Sequence, residues 1–464
     1  MKFGGTSLSD GERIRKAAEL VSSSLKKGIT PIVVASAMSG ITDRLIEITE
    51  MAASGKQKPI EEFLNSLSND HRAAVQAAIR RNEIRASVNS DLDHELETLR
   101  QILTGISYLR EVSPRSRDYV LSFGERLSVR ILCGALIDLG LEARYLTGGE
   151  AGILTDDNYG SARPLMKTTA QQVRTKITPL IEQRIIPTIT GFMGETQNGV
   201  TTTLGRGGSD YTATIIGASI GADEVWIWTD VDGLMTADPK LVPEAKTIPK
   251  ISFSEAMEMG YFGAKNMHPK ALEPAQDHKL SVRIRNTFDP DRPGTLVHTG
   301  EVHPAENIVK AISIIRDVAL VTVAGAGVIR TPEVVAKVFS LVGSLGVDVY
   351  LISQGSSEAN ISFAIPRNLL DRTINLLEMQ LLGDDVRSIT PEDDVSIIAV
   401  IGAGMKGTPG VAARVFHSVA NKNVNVRMIA QGSSELNISI AVKEKDIAAA
   451  AQVLHAEFQL EKQS

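Results

Sequence analysis

The sequence has a single cysteine, Cys133, among 464 residues. One thiol cannot close an intrachain disulfide, and in ILCGALIDLG it reads as a small hydrophobe in a core. No apolar run approaches the ~18 residues that a membrane-spanning helix needs, so no membrane partner is expected. Positive charge is not in excess: 49 Lys and Arg stand against 55 Asp and Glu, a formal charge of −6. That argues against nucleic acid or an anionic membrane as the main partner, although a local basic pocket still suits an anionic substrate. The opening MKFGGTSLSDGE does not read as a signal peptide, and a cytoplasmic location is expected.

Whole families of catalytic motif are missing as well. There is no GxxxxGK[ST], no GxGxxG after an initial strand and no GxSxG elbow, and the HRD and DFG signatures are absent. No HxxH or clustered Cys/His pattern supports a zinc site, and no protein metal site is expected. His268, before Pro269, reads as a helix-end or packing residue.

What is present is an α/β grammar. Apolar residues make up 43% of the chain, enough for sizeable cores, and its length suggests several domains. Up to about residue 305, buried strands are expected in Thr30–Met38, Arg184–Phe192, Ala222–Gly233 and Lys279–Phe288. Helical stretches such as Ser209–Gly221 lie between them, the pattern of a mostly parallel sheet covered by helices. Residues 56–102 are polar with spaced Phe63, Leu64, Leu67, Ile79, Ile84 and Leu92, and read as helices on the flank. The Pro- and Gly-rich Asp289–Asn307 marks a boundary. Beyond it the chain repeats itself. Val318–Phe339 matches Val395–Phe416, and Leu351–Ile365 matches Met428–Val442, always 77 positions apart. Each copy reads as a ferredoxin-like βαββαβ unit, and two such copies can pack their sheets together. The expected domains are 1–305, 306–385 and 386–464.

Five stretches carry candidate chemistry. In KFGGTSLSDGE, Gly4 and Gly5 allow close backbone approach to a phosphate beside Lys2. Ser9 or Asp10 can cap a helix whose buried stripe is Ile14, Ala17, Val21 and Leu25, ended by Gly28. In TTTLGRGGSDYTA, glycines surround Arg206 at a helix start that carries Asp210; free N–H groups there and a planar guanidinium suit an anion. In IWTDVDG, Thr229 and Asp230 stand at the C-terminal end of a strand, where open sheets bind ligands. In SAMSGITD and FGERLS, the hydroxyls of Ser36, Ser39 and Thr42 can donate to a carboxylate, and Glu125 can receive an ammonium. Ordinary capping and solvated helix faces compete for each of these readings.

Taken together, KFGGTS, SAMSGIT, SFGERLS, TTLGRGGSD, WTDVDGLMTADP, GAK with MHP, and the twin QGSSE…NIS phrases resemble the aspartate kinases, in family order over nearly the whole chain. The resemblance implies an open α/β/α sandwich of the amino-acid kinase fold followed by tandem ACT domains, in a monofunctional enzyme. It implies transfer of the ATP γ-phosphoryl to the β-carboxylate of L-aspartate, with Mg²⁺ accompanying ATP. Lys2 would then contact the transferring phosphoryl. Ser36 and Thr42 would line the aspartate pocket, and Glu125, Arg206 and Asp210 would grip the amino acid. Thr229, Asp230, Lys240 and Lys265 would serve ATP. An end-product amino acid would bind at an ACT interface, through Gln354 and Asn360 or the matching Gln431 and Asn437, with threonine preferred to lysine. A homodimer or larger homo-oligomer is implied. Asp43 and Lys240 depart from the family pattern, and Asp43 is expected to point away from the carboxylate site.

Overall fold

The computed structural model describes residues 1–263, 268–300, 308–325, 332–355, 360–383 and 386–462. The chain divides into two compact units. One comprises Met1–Gly233 with Asn266–Thr299, the other Leu234–Lys265 with Gly300–Ser464.

The first unit is laid down as β1 (Lys2–Phe3), α1 (Gly11–Lys26), β2 (Val33–Ala35), α2 (Ile41–Ala53), α3 (Lys58–Ala78), α4 (Asn82–Leu109), α5 (Pro114–Asp138), β3 (Ala143–Leu146), α6 (Met166–Glu182), β4 (Ile186–Thr190), β5 (Met193–Glu195), β6 (Thr201–Thr203), α7 (Gly208–Ile220) and β7 (Glu224–Thr229). After β8 (Lys250–Ser252) and α8 (Phe253–Tyr261), which fall in the other unit, it resumes with α9 (Glu273–Asp277), β9 (Ser281–Asn286) and β10 (Thr295–His298). The strands run in the order β3-β4-β2-β1-β7-β9-β10. Pairings from β3 to β9 are parallel, and only β10 runs antiparallel to its neighbour β9. All four expected strands are therefore present. Every residue of β1, β2 and β4 is buried, as a sheet covered on both faces requires.

Parallel pairing brings the C-terminal ends of β1, β2, β4 and β7 to one edge. The chain leaves β1 toward β2 on one side and comes back with β7 on the other, so β1 marks a topological switch point.

Helix α1 begins as its sequence requires, with the Asp10 carboxylate accepting from the Arg13 N–H at 2.9 Å. Ile14, Ala17 and Val21 are buried, but Leu25 is 40% exposed. It shares their face, yet it sits in the last turn, past the core, where the chain swings away through Gly28 at φ +82°. Gly11 lets α1 approach α3 closely, since a Cβ there would lie 2.3 Å from the Ala74 carbonyl. The polar flank is helical as expected: Leu64, Leu67, Ile79 and Leu92 are buried in the main core, and Phe63 and Ile84 pack against it. Cys133 is buried, and burial pushes its thiol up to about 12, which leaves it unreactive.

The second unit is organised by two long strands, β11 (Ala311–Ala324) and β14 (Ser388–Ile401). With β12 (Leu351–Gln354), β13 (Asn360–Pro366), β15 (Met428–Ala430) and β16 (Asn437–Lys443) they form one sheet in the order β12-β13-β11-β14-β16-β15. The two repeat copies thus share a single continuous sheet, in place of two separate ones packed together. The start of β11, Ala311–Ile315, pairs with the end of β14, Ile397–Ile401, while Val318–Ala324 pairs with Ser388–Val395. The second copy consequently takes its fourth strand from residues before the first copy, and a cut at 385/386 would separate it from that strand. Register shifts between Ile315 and Leu320 divide the two halves of β11, with Asp317 at φ +57°. Helices Pro332–Ser344 and Leu370–Leu381 cover the first copy, Val411–Ala420 and Ile447–Glu457 the second. Ala237 and Val242 lie in the second copy's core, and the Thr236 hydroxyl pairs with His455 at 3.0 Å. These contacts tie Leu234–Lys265 to the C-terminal unit, whereas the expected catalytic domain, 1–305, includes the segment.

The shared strands predict how fragments behave. A fragment of residues 308–464 is expected to melt cooperatively by circular dichroism. A fragment of 386–464, deprived of Ala311–Ile315, is expected to show no cooperative transition.

Candidate active site

The site forms where the strand ends converge. Lys2 is buried in β1, and its ammonium lies 2.6 Å from Asp210 Oδ1 in the first turn of α7. This is a close ion pair, but it is too oblique to count as a hydrogen bond. The Gly4 N–H donates to the Trp228 carbonyl, which ties the loop after β1 to the end of β7. A Cβ on Gly4 would sit 3.5 Å from the Lys2 amine, and one on Gly5 3.1 Å from the Ala37 carbonyl. The first is ordinary contact, whereas the second is tight, so Gly5 permits the close approach of this loop to β2's exit. Below them, the Ser7 and Thr287 hydroxyls pair at 2.7 Å, and the Thr287 N–H donates to the Thr229 carbonyl at 2.8 Å.

Glu125 enters from α5 and is fully buried. One carboxylate oxygen accepts the Ala37 N–H at 3.0 Å; the other has no partner among the described residues. Burial raises its pKa from 4.5 to about 8, against the opposing pull of the Ala37 N–H and the nearby Lys2 charge. An orphaned, desolvated carboxyl of this kind is a receptor for a cation with hydrogen-bond donors. The same helix steadies β2: the Ser128 hydroxyl donates to the Ser36 carbonyl at 2.7 Å. Ser36 and Thr42 are half-buried along the rim from β2 into α2, whereas Asp43 is exposed.

The glycine loop uses its residues as the sequence suggests. Gly205 and Gly207 adopt φ +78° and +69°, and Gly207 caps α7. Between them Arg206 is exposed, with no ion pair among the described residues. Asp230 is exposed at the end of β7, hydrogen-bonded to the Thr229 hydroxyl at 3.2 Å. Lys240 is exposed in a turn of the other unit, its N–H bonded to Asp238. Lys265 lies outside the described residues. His268 accepts from the Lys270 N–H as a cap, the helix-end role expected of it. Among the described residues no cluster of three or more His, Cys, Asp or Glu could hold a metal ion, and no helix is long and apolar enough to cross a membrane.

Sequence reasoning missed Asp118. It is buried in α5, two turns before Glu125, and accepts from the Thr203 N–H at 2.7 Å, the Thr203 hydroxyl at 2.8 Å and the Gly160 N–H at 3.0 Å. It thereby fixes the strand that feeds the glycine loop to the helix that carries Glu125. The seven-residue spacing was the available signal, but an aspartate on a helix reads first as a solvated residue.

In the second unit the four regulatory candidates lie at strand ends. Gln354 and Gln431 are exposed, at the end of β12 and just past β15. Asn360 and Asn437 open β13 and β16 at matching positions. The Asn437 amide donates to the Glu258 carboxylate of α8.

Comparison with known proteins agrees with this architecture. The amino acid kinase family model matches residues 1–286, and an ACT domain model matches 321–381 and 398–458. Fold and site together define an amino-acid kinase joined to a pair of ACT domains. The chain belongs to the aspartokinase family. It is 33% identical over 468 residues to aspartokinase 1, chloroplastic, of Arabidopsis thaliana, covering 99% of this chain and 79% of that protein. It resembles the crystal structure of E. coli aspartokinase III in complex with aspartate and ADP, in the R-state, with TM-score 0.82 and 29% identity over 99% of both chains. The same enzyme with lysine and aspartate, in the T-state, matches with TM-score 0.80 and 27% identity over 98% of both.

Two predictions follow from Glu125 and Asp118. Because the folded-state pKa of Glu125 lies above 4.5, the folded protein holds the extra proton up to about pH 8. Its stability contribution is thus lost as pH rises through that window. Glu125→Gln is expected to flatten the melting temperature against pH between those limits. Asp118→Ala leaves the Thr203 and Gly160 N–H groups without their acceptor and is expected to cost about 1–3 kcal/mol in denaturant titration.

Proposed function

We propose that this chain phosphorylates the β-carboxylate of L-aspartate with ATP, giving 4-phospho-L-aspartate. This is the first step toward lysine, threonine and methionine, and the ACT half exerts feedback control. The observation that carries the reading is the unpartnered buried oxygen of Glu125 beside the Lys2–Asp210 pair at the switch point. The family assignment supplies the substrate.

In this mechanism Glu125, once ionised, receives the aspartate ammonium. Arg206 grips the α-carboxylate, and Ser36 and Thr42 donate to the substrate along the rim. The β-carboxylate is already ionised and needs no general base. One of its oxygens attacks the γ-phosphorus; the P–O bond to the β-phosphate breaks, and ADP leaves with the electron pair. Charge moves onto the equatorial and leaving oxygens, and Lys2 with the Gly5 N–H neutralises it. Asp210 holds the Lys2 ammonium in place between turnovers. Thr229, Asp230, Lys240 and Lys265 serve the nucleotide. Mg²⁺ enters with ATP as part of the substrate and screens its phosphates.

Gln354 and Asn360 form the preferred effector position, with threonine ahead of lysine. The support is the QGSSE…N phrase. Assembly as a homodimer or larger homo-oligomer and a cytoplasmic location complete the proposal.

A coupled assay of ADP release over a panel of aspartate, glutamate and nucleoside monophosphates tests the activity. Turnover confined to aspartate is expected; turnover with another acceptor, or none, contradicts it. Lys2→Ala is expected to lower kcat by about 100- to 1,000-fold with smaller changes in KM. The KM for aspartate is expected to fall by up to about tenfold per pH unit as pH approaches 8, where Glu125 ionises. Isothermal titration should give heat for threonine; heat for lysine alone reverses the effector preference.

A further inference from the structure

Strand β1 is only two residues long, so its own ladder does little to place the loop that follows it. That loop carries the Gly5 N–H and runs into the turn Gly5–Leu8. The Gly4 N–H fastens its start to the Trp228 carbonyl, and Ser7 completes the anchorage from farther along the sheet. Strand β9 pairs in parallel with β7, with Asn286 opposite Thr229. The next residue, Thr287, therefore passes the end of β7, and its N–H donates to the Thr229 carbonyl at 2.8 Å. Its hydroxyl reaches across the end of β7 to the Ser7 hydroxyl, at 2.7 Å.

The neighbours of Thr287 extend the same strap. The Asn286 amide donates to Asp232 Oδ1 at 2.6 Å, and Arg292 Nη1 donates to Asp232 Oδ2 at 2.5 Å. Asp232 is thus fixed two residues past Asp230. Phe288 lies against the start of α1, its ring centre 4.7 Å from the Arg13 guanidinium and 5.4 Å from the Lys16 ammonium. Three consecutive residues therefore grip the exit of β7, the loop after β1 and the helix that follows. Ser7 and Thr287 are both fully buried, so water does not replace a lost partner. Without Thr287 the Ser7 hydroxyl keeps only the Trp228 carbonyl, at 3.4 Å.

We infer that Thr287 is a positioning residue for phosphoryl transfer, acting through Ser7. The inference rests on the kinase reading above. The hydroxyl pair sets Lys2 and the Gly5 N–H, on one side, against Thr229 and Asp230, on the other. A nucleotide whose phosphates lie on the loop and whose remainder lies at the end of β7 spans these two elements. A small shift of the loop then misaligns the γ-phosphoryl group with its acceptor. The aspartate side is anchored separately, because Glu125 and Ser128 hold Ala37 and Ser36 from α5.

The test compares Thr287→Val, which keeps the shape and removes the hydroxyl, with Thr287→Ser, which keeps the hydroxyl. Ser7→Ala and the Ser7→Ala/Thr287→Val pair complete a double-mutant cycle. Each full chain is read by steady-state kinetics with aspartate and ATP and by isothermal titration with MgADP. Thr287→Val is expected to lower kcat by about tenfold or more and to weaken MgADP by about threefold or more. Its KM for aspartate is expected to stay within about twofold of the parent. Thr287→Ser is expected to stay within about twofold of the parent on every reading, and the double variant to lose no more than about twofold beyond the worse single one. A hydroxyl pair that served the core alone would lower the melting temperature and leave kcat and MgADP affinity within about twofold of the parent, which overturns the inference. So does a KM for aspartate that rises with the loss of kcat, a multiplicative loss in the double variant, or a Thr287→Ser as impaired as Thr287→Val. Should Thr287→Val fail to fold, Ser7→Ala carries the same expectations against the parent. A parent that binds MgADP but turns over no aspartate removes the kinase reading, and the MgADP titrations then decide this inference alone. A parent that does not bind MgADP overturns it.

Discussion

Bringing two anions into contact is the constraint on which the rest of the molecule depends. A carboxylate will not approach a triphosphate unless their mutual repulsion is offset along the path of transfer. The parallel sheet solves part of this by geometry. It ends β1, β2, β4 and β7 at one edge, so that Lys2, the rim from Ser36 and the first turn of α7 converge. Burial supplies the other part. Out of water, the Lys2 ammonium acts through less screening, and the Glu125 carboxyl holds its proton until a cation arrives. In the proposed reaction the free site sheds an unpaired negative charge and regains it when the substrate ammonium offers a partner.

That arrangement needs a rigid frame, and α5 provides it. From one helix, Asp118 holds β6 and the Gly160 loop, Glu125 reaches the Ala37 N–H, and Ser128 holds the Ser36 carbonyl. The Ala37 N–H, the Ser36 carbonyl and the strand that feeds the glycine loop are thus held by side chains on one buried helix. A displacement of α5 would disturb them together.

Much of this was legible in the sequence, for identifiable reasons. Buried parallel strands read as apolar runs, the Asp10 cap precedes a periodic helix, and the repeat betrays itself by its constant spacing. Glu125 and Lys2 were legible through the motifs around them. Other features depend on pairing across long distances, which periodicity does not encode. A repeat of 77 residues cannot reveal that the second copy takes Ala311–Ile315 as its outer strand. Nor does a glutamate within α8 announce that it will meet Asn437. Leu25 shows a smaller gap of the same kind: its phase is right for burial, but the core ends one turn before it.

In the proposed mechanism Glu125 is a neutral acid in the free protein and becomes a carboxylate when aspartate binds. Infrared difference spectroscopy near neutral pH reads this directly. The account predicts a protonated-carboxyl band in the free protein that disappears on adding aspartate and is absent in Glu125→Gln. A free-protein spectrum without that band, or a band that aspartate leaves unchanged, would contradict it.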